Sequence, residues 1–94
     1  MKHLLIALVI VLSFPAFGQS VRCGQSHRFG TELIMIGDSE RRVHQVAGRP
    51  DLERRLENPQ GGAAGFRLDY YQHGQTVQIY VQAGVVTRIC RVRD

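Results

Sequence analysis

The strongest constraint on the fold is an alternation of apolar and polar side chains through two neighbouring segments. Val77, Ile79 and Val81 alternate with Gln78, Tyr80 and Gln82, and before them Phe66, Leu68 and Tyr70 alternate with Arg67, Asp69 and Tyr71. A period of two puts every second side chain on one face, so both segments read as half-buried β-strands. His73-Gly74 between them and Ala83-Gly84 after them have the composition of tight hairpin turns, which makes the strands antiparallel neighbours. By parity Tyr70 faces inward, whereas Tyr71 and Tyr80 face outward with Arg67 or Gln78 beside them.

A last strand over residues 85–92 completes this set. Val86 and Ile89 are out of phase for a plain strand, and a bulge near Thr87-Arg88 brings both inward. Upstream, Leu33-Ile34-Met35-Ile36 is short, apolar and bounded by Gly37, as a buried strand or an apolar docking segment would be. Asp38 and Ser39 are good helix N-caps, Val43, Val46 and Ala47 fall on one side of a short helix, and Gly48 and Pro50 stop it. Residues 51–57 read as an exposed edge strand or an extended connection, and Asn58-Pro59-Gln60-Gly61-Gly62-Ala63-Ala64-Gly65 as a flexible loop. Residues 20–28 read as a polar lead. The expected fold is α+β, one short helix packed on a three- to four-stranded antiparallel meander.

The start of the chain carries a different signal. Lys2 and His3 precede the unbroken apolar run Leu4-Leu5-Ile6-Ala7-Leu8-Val9-Ile10-Val11-Leu12, and Ser13-Phe14-Pro15-Ala16-Phe17-Gly18 closes it with small residues two apart. This is the pattern of a cleaved export signal over residues 1–18, with cleavage before Gln19 and a run too short to span a bilayer comfortably. Lipid attachment is disfavoured because Val21-Arg22 precede Cys23. The expectation is a periplasmic or secreted protein with no stable membrane span after cleavage.

Removing 18 residues from 94 leaves 76, enough for one domain (residues 19–94) with a thin core. Cys23 and Cys90 lie near its two ends, and in an oxidising compartment such a pair reads as a disulfide. On the chain-entropy model a loop of that length removes about 4 kcal/mol of unfolded-state freedom. The formal charge is +4 with Lys2 and about +3 without it, carried by eleven arginines. That balance suits an anionic partner such as lipid headgroups or a glycan, although the arginines are interleaved with acids from Glu32 to Asp69. Export separates the protein from nucleic acid, so no nucleic-acid partner is expected.

The order Arg22-Cys23-Gly24, Ile36-Gly37-Asp38-Ser39, Gly48-Arg49-Pro50, then a tyrosine-rich strand and a closing Val81-x-x-Gly84-x-Val86-x-x-Ile89 resembles a family of small exported bacterial proteins of unknown function. More distantly, the plan of helix, Gly-x-Pro and meander is similar to the SmpA/OmlA proteins, the BamE-type outer-membrane assembly lipoproteins. Two departures stand out. Ala47 occupies the place where the first family often has a cysteine before Gly-x-Pro, which leaves Cys23 and Cys90 to each other. The lipid-bearing cysteine of the BamE-type proteins is missing.

Catalytic signals are weak. Ser26 stands beside His27, and Ser39, His44 and His73 lie elsewhere, but neither serine sits in a Gly-x-Ser-x-Gly elbow. Histidine and cysteine spacings match no zinc motif, and Gly61-Gly62 lacks the lysine of a phosphate-binding loop. No catalytic residue, metal or cofactor is assigned. Tyr71, Tyr80 and Arg67 are the candidate binding residues, an aromatic and guanidinium surface suited to another protein. The expectation is a non-enzymatic interaction module of the cell envelope; the alternative is a binder of a small or anionic ligand.

Overall fold

The computed structural model describes residues 20–93; the expected export signal and the cleavage point before Gln19 lie outside the described residues. The elements run β1 (Ser20–Gly24), β2 (Ser26–Phe29), β3 (Glu32–Met35), α1 (Glu40–Ala47), β4 (Leu52–Glu57), β5 (Ala63–Gln72), β6 (Gln75–Gln82) and β7 (Val85–Arg93). Strands β4 to β7 form a meander, and β1 returns to pair with β7, so the sheet order is β1-β7-β6-β5-β4. Every pairing in it is antiparallel. Strands β2 and β3 form a separate two-stranded sheet.

This corrects the expected architecture of a short helix on three or four strands. The chain is mostly sheet, with five strands in one sheet and two in another. The residues read as a polar lead supply β1 and β2. Val21 and Cys23, and then His27 and Phe29, do alternate with polar neighbours, but over five and four residues only. So short an alternation becomes a strand only when a partner supplies the hydrogen bonds; for β1 that partner is the far end of the chain, and for β2 it is the neighbouring β3.

The hairpins of the meander close on two-residue turns. His73 and Gly74 have φ of 49° and 77°, and Ala83 and Gly84 have 53° and 78°. Left-handed conformation at both central residues is the type I′ geometry that matches the twist of the flanking strands. In β7 the register shifts beside Tyr80 and Val81, leaving Thr87 as the extra residue. Val86 then opposes Val81 and Ile89 opposes Ile79, which puts both on the buried face.

The helix is placed by the edge of β7. Gly37 N–H donates to Val86 O and Val86 N–H to Asp38 O, each at 2.8 Å, and Glu40 N–H donates to Gly84 O at 2.9 Å. Ser39 caps the helix through Oγ, which accepts from Arg42 N–H at 3.1 Å, a contact worth about 1 kcal/mol. Asp38 does different work, accepting Met35 N–H at 2.8 Å. At the other end Gly48, with φ of 78°, returns its N–H to His44 O. Val43 is thereby laid on the sheet, and with Phe29 and Ile34 it closes over Leu68, Tyr70, Val77, Ile79, Val81, Val86 and Ile89.

The segment read as a flexible loop is ordered by its own bonds. Asn58 Oδ1 accepts the N–H groups of Gln60 and Gly62 at 3.0 and 2.8 Å. Gly65 belongs to β5, with φ of 103°, and a Cβ there would run into the Val81 carbonyl oxygen. Gly61 also has positive φ, 84°, but open space around it. Gly65→Ala is therefore expected to cost at least about 2 kcal/mol more in denaturant unfolding than Gly61→Ala, which bears backbone strain alone.

Candidate functional site

The register sorts the side chains of the main sheet into rows. On the face away from α1, one row runs Val21, Val92, Thr76 and Tyr71 from β1 to β5. The next runs Cys23, Cys90, Gln78, Asp69 and Leu52, and a third runs Arg88, Tyr80, Arg67 and Arg54. An apolar and aromatic stripe thus lies at one end and a cationic stripe around Tyr80 at the other, with the Cys23–Cys90 disulfide between them. The disulfide joins residues directly opposite each other in adjacent strands.

Each candidate residue has a definite setting on this face. Tyr71 is 59% exposed, as is Val21 at 57%. The Tyr71 backbone N–H donates to Asp51 Oδ2 at 2.8 Å, which ties the start of β4 to β5. Tyr80 is half-buried, with the Arg88 guanidinium 5.5 Å from its ring centroid, and its hydroxyl reaches Gln78 Oε1 only at 3.5 Å. A cation over a ring face is favourable and holds both groups flat against the sheet. Arg67, directly opposite Tyr80, is bound in a fork to Asp69: Nε to Oδ1 at 2.8 Å and Nη2 to Oδ2 at 2.9 Å. Asp69 is only 3% exposed. The hydrogen bonds to this carboxylate raise the Arg67 pKa above its ordinary value, so its charge is permanent and largely neutralised in place.

The structure therefore brings Arg67 and Tyr80 side by side and leaves Tyr71 one row beyond the disulfide row. Sequence reading missed Arg88. The signal was present, because a bulge at Thr87 puts Arg88 opposite Tyr80, but it needs the strand pairing as well as the bulge.

Of the residues weighed for catalysis, Ser39, His44 and His27 have other partners. Ser39 caps α1, and His44 Nε2 lies 3.3 Å from Glu40 Oε2 one helical turn away. His73 occupies a hairpin turn. His27 is buried and contacts Gln72 and Arg91. Among the described residues no three His, Cys, Asp or Glu side chains gather as a metal site, and no helix is long and apolar enough to cross a membrane.

No protein-family model, curated protein or solved structure matches this chain.

Tyr70, turned to the inner face, shows how the two faces differ electrostatically. Its hydroxyl donates to Gly48 O at 2.9 Å, tying β5 to the end of α1. Burial pushes its pKa from 10.0 up to about 12, and the charges of Asp51, Glu40 and Glu53 add to the rise. A group whose folded pKa lies above its unfolded value gives stability that is complete below the unfolded pKa and lost as pH climbs through the folded one. Unfolding midpoints should therefore fall between pH 10 and about 12. In Tyr70→Phe the fall over that window should be shallower, at a cost of about 1 kcal/mol at neutral pH for the lost hydrogen bond.

Proposed function

We propose that this chain works outside the cytoplasm, after removal of residues 1–18, as a non-enzymatic module that binds another protein of the cell envelope. The observation that carries the reading is the sheet face opposite α1. It combines an exposed apolar and aromatic row, Val21 and Tyr71, with a row of three arginines around Tyr80. Aromatic and guanidinium side chains on a rigid scaffold are what protein partners use as anchors. The interstrand disulfide supports an oxidising compartment. The likeness to small exported bacterial proteins, and through the Gly48-Arg49-Pro50 helix stop and its following meander to the BamE-type proteins, supports the envelope setting.

The partner surface that fits is apolar along one stripe and acidic along the other, because Arg67 is neutralised by Asp69 whereas Arg88, stacked on the neutral Tyr80 ring, keeps its charge uncancelled. Crosslinked pull-down of the tagged mature protein from its native envelope tests the reading. A partner captured by the native protein should be lost in Tyr71→Ala and weakened in Arg88→Gln, with the unfolding midpoint of Tyr71→Ala unchanged, since that side chain is exposed. Equal capture by the native protein and both variants would remove this face from the function.

A further inference from the structure

The register that builds the outer face also gathers arginines on the inner one, at the end where α1 does not reach. Arg22 of β1 stands directly opposite Arg91 of β7, and Arg93 is two residues further along the same strand and face. Ser20 and Gln75 flank Arg93 from the strands on either side. These five residues line a cavity of about 260 Å³.

Three features distinguish this cleft from a solvated basic surface. Like charges placed directly opposite on neighbouring strands repel, yet Arg22 and Arg91 are held there by the backbone pairing and by the disulfide one residue away. The ion pairs among the described residues join Arg42 to Asp38, His44 to Glu40 and Arg67 to Asp69, so no described carboxylate neutralises the cleft. Finally, Arg91 is aimed. His27, 9% exposed, lies with Nε2 3.1 Å from Gln72 Oε1 and Nδ1 3.5 Å from Arg91 Nη1. With the ring hydrogen on Nε2, His27 donates to Gln72 and turns its free Nδ1 lone pair to the guanidinium. A buried imidazole in that role orients the guanidinium and brings no carboxylate to cancel its charge.

We propose that this cleft is a binding site for a phosphoryl group carrying close to two negative charges. A carboxylate would leave most of the three positive charges unmatched, whereas a phosphomonoester carries about −1.5 to −2 at neutral pH and offers three acceptor oxygens. Guanidinium forks match such oxygens in pairs, and the Ser20 hydroxyl and Gln75 amide are neutral donors at the rim. The volume lies just under that of drug-sized sites, which leaves room for the phosphoryl group and a small moiety attached to it. The cleft faces away from Tyr71 and Tyr80, so it stands independently of the protein-binding reading.

The test is titration of the oxidised protein by calorimetry at about 0.15 M salt, where the screening length is about 8 Å and diffuse attraction is damped. Inorganic pyrophosphate probes a soluble source of the group, and phosphatidylcholine vesicles with and without phosphatidate probe a lipid source. Saturable binding to pyrophosphate, to phosphatidate vesicles or to both is expected, and the responding arm names the source. Affinity should fall about tenfold or more in Arg22→Gln and in Arg91→Gln, as loss of a charged hydrogen bond implies. It should hold in Arg55→Gln, which removes the same charge from an exposed position of β4. Arg22 is exposed on an edge strand, so its variant reads the site without disturbing the core. Binding to neither probe, or equal weakening in Arg55→Gln and Arg22→Gln, would overturn the site.

Discussion

The pairing of β1 with β7, locked by Cys23–Cys90, is the contact on which the rest of the molecule depends. It joins the two ends of the described chain across a sequence separation of 67 residues, and it turns a four-stranded meander into a five-stranded sheet. A five-residue strand at a sheet edge has few hydrogen bonds and little apolar area to hold it. The covalent link removes most of the entropy that would otherwise favour its release. From β1 the chain goes directly into the β2–β3 hairpin, which brings Phe29 and Ile34 over the core, and then into residues 37–39, which bond to the free part of the same β7 edge. One strand edge is thus covered in two pieces, and α1 is seated by the second.

Both candidate surfaces follow from that edge. On the outer face β1 adds Val21 to the row that ends in Tyr71, and on the inner face it sets Arg22 against Arg91. The charges are handled differently on the two sides. Outside, Arg67 is bound by buried Asp69 and Arg88 lies on the Tyr80 ring, so two of the cations have partners. Inside, the partner that the described residues supply to Arg91 is the His27 ring rather than a carboxylate. A formal charge of +4, spread through the sequence, is therefore uneven in space because strand pairing collects residues from both ends.

What could be read from the residues follows the range of the interactions involved. The β5–β6 alternation, its two turns, the Ser39 and Gly48 caps and the Thr87 bulge are all encoded within about ten residues, and the structure has each of them. The disulfide was legible from compartment and count. Strands β1 and β2 were not, because β1 has one linked side chain, Cys23, and pairs with the far end of the chain, while β2 has only two buried side chains, His27 and Phe29, in four residues. Gly65 looked like a loop glycine, but its composition cannot show that the Val81 carbonyl passes where a Cβ would be. The arginine cleft was illegible for the same reason as β1: Arg22 and Arg91 meet only through the register between the chain's ends. Parity did separate Tyr70 from Tyr71, while the burial of Asp69 on the open face required knowing that Arg67 folds back onto it.

Hydrogen exchange on β1, compared between the disulfide-bonded protein and a Cys23→Ser, Cys90→Ser variant, tests most directly whether the link holds this edge. With the disulfide intact, the amides of residues 20–24 that bond to β7 should exchange nearly as slowly as those between β6 and β7. Without it, protection of β1 should fall to near that of an open chain while β5 and β6 stay protected. Equal protection of β1 with and without the disulfide would contradict the account, since the strand would then hold its place, and both surfaces their shape, without the covalent bond.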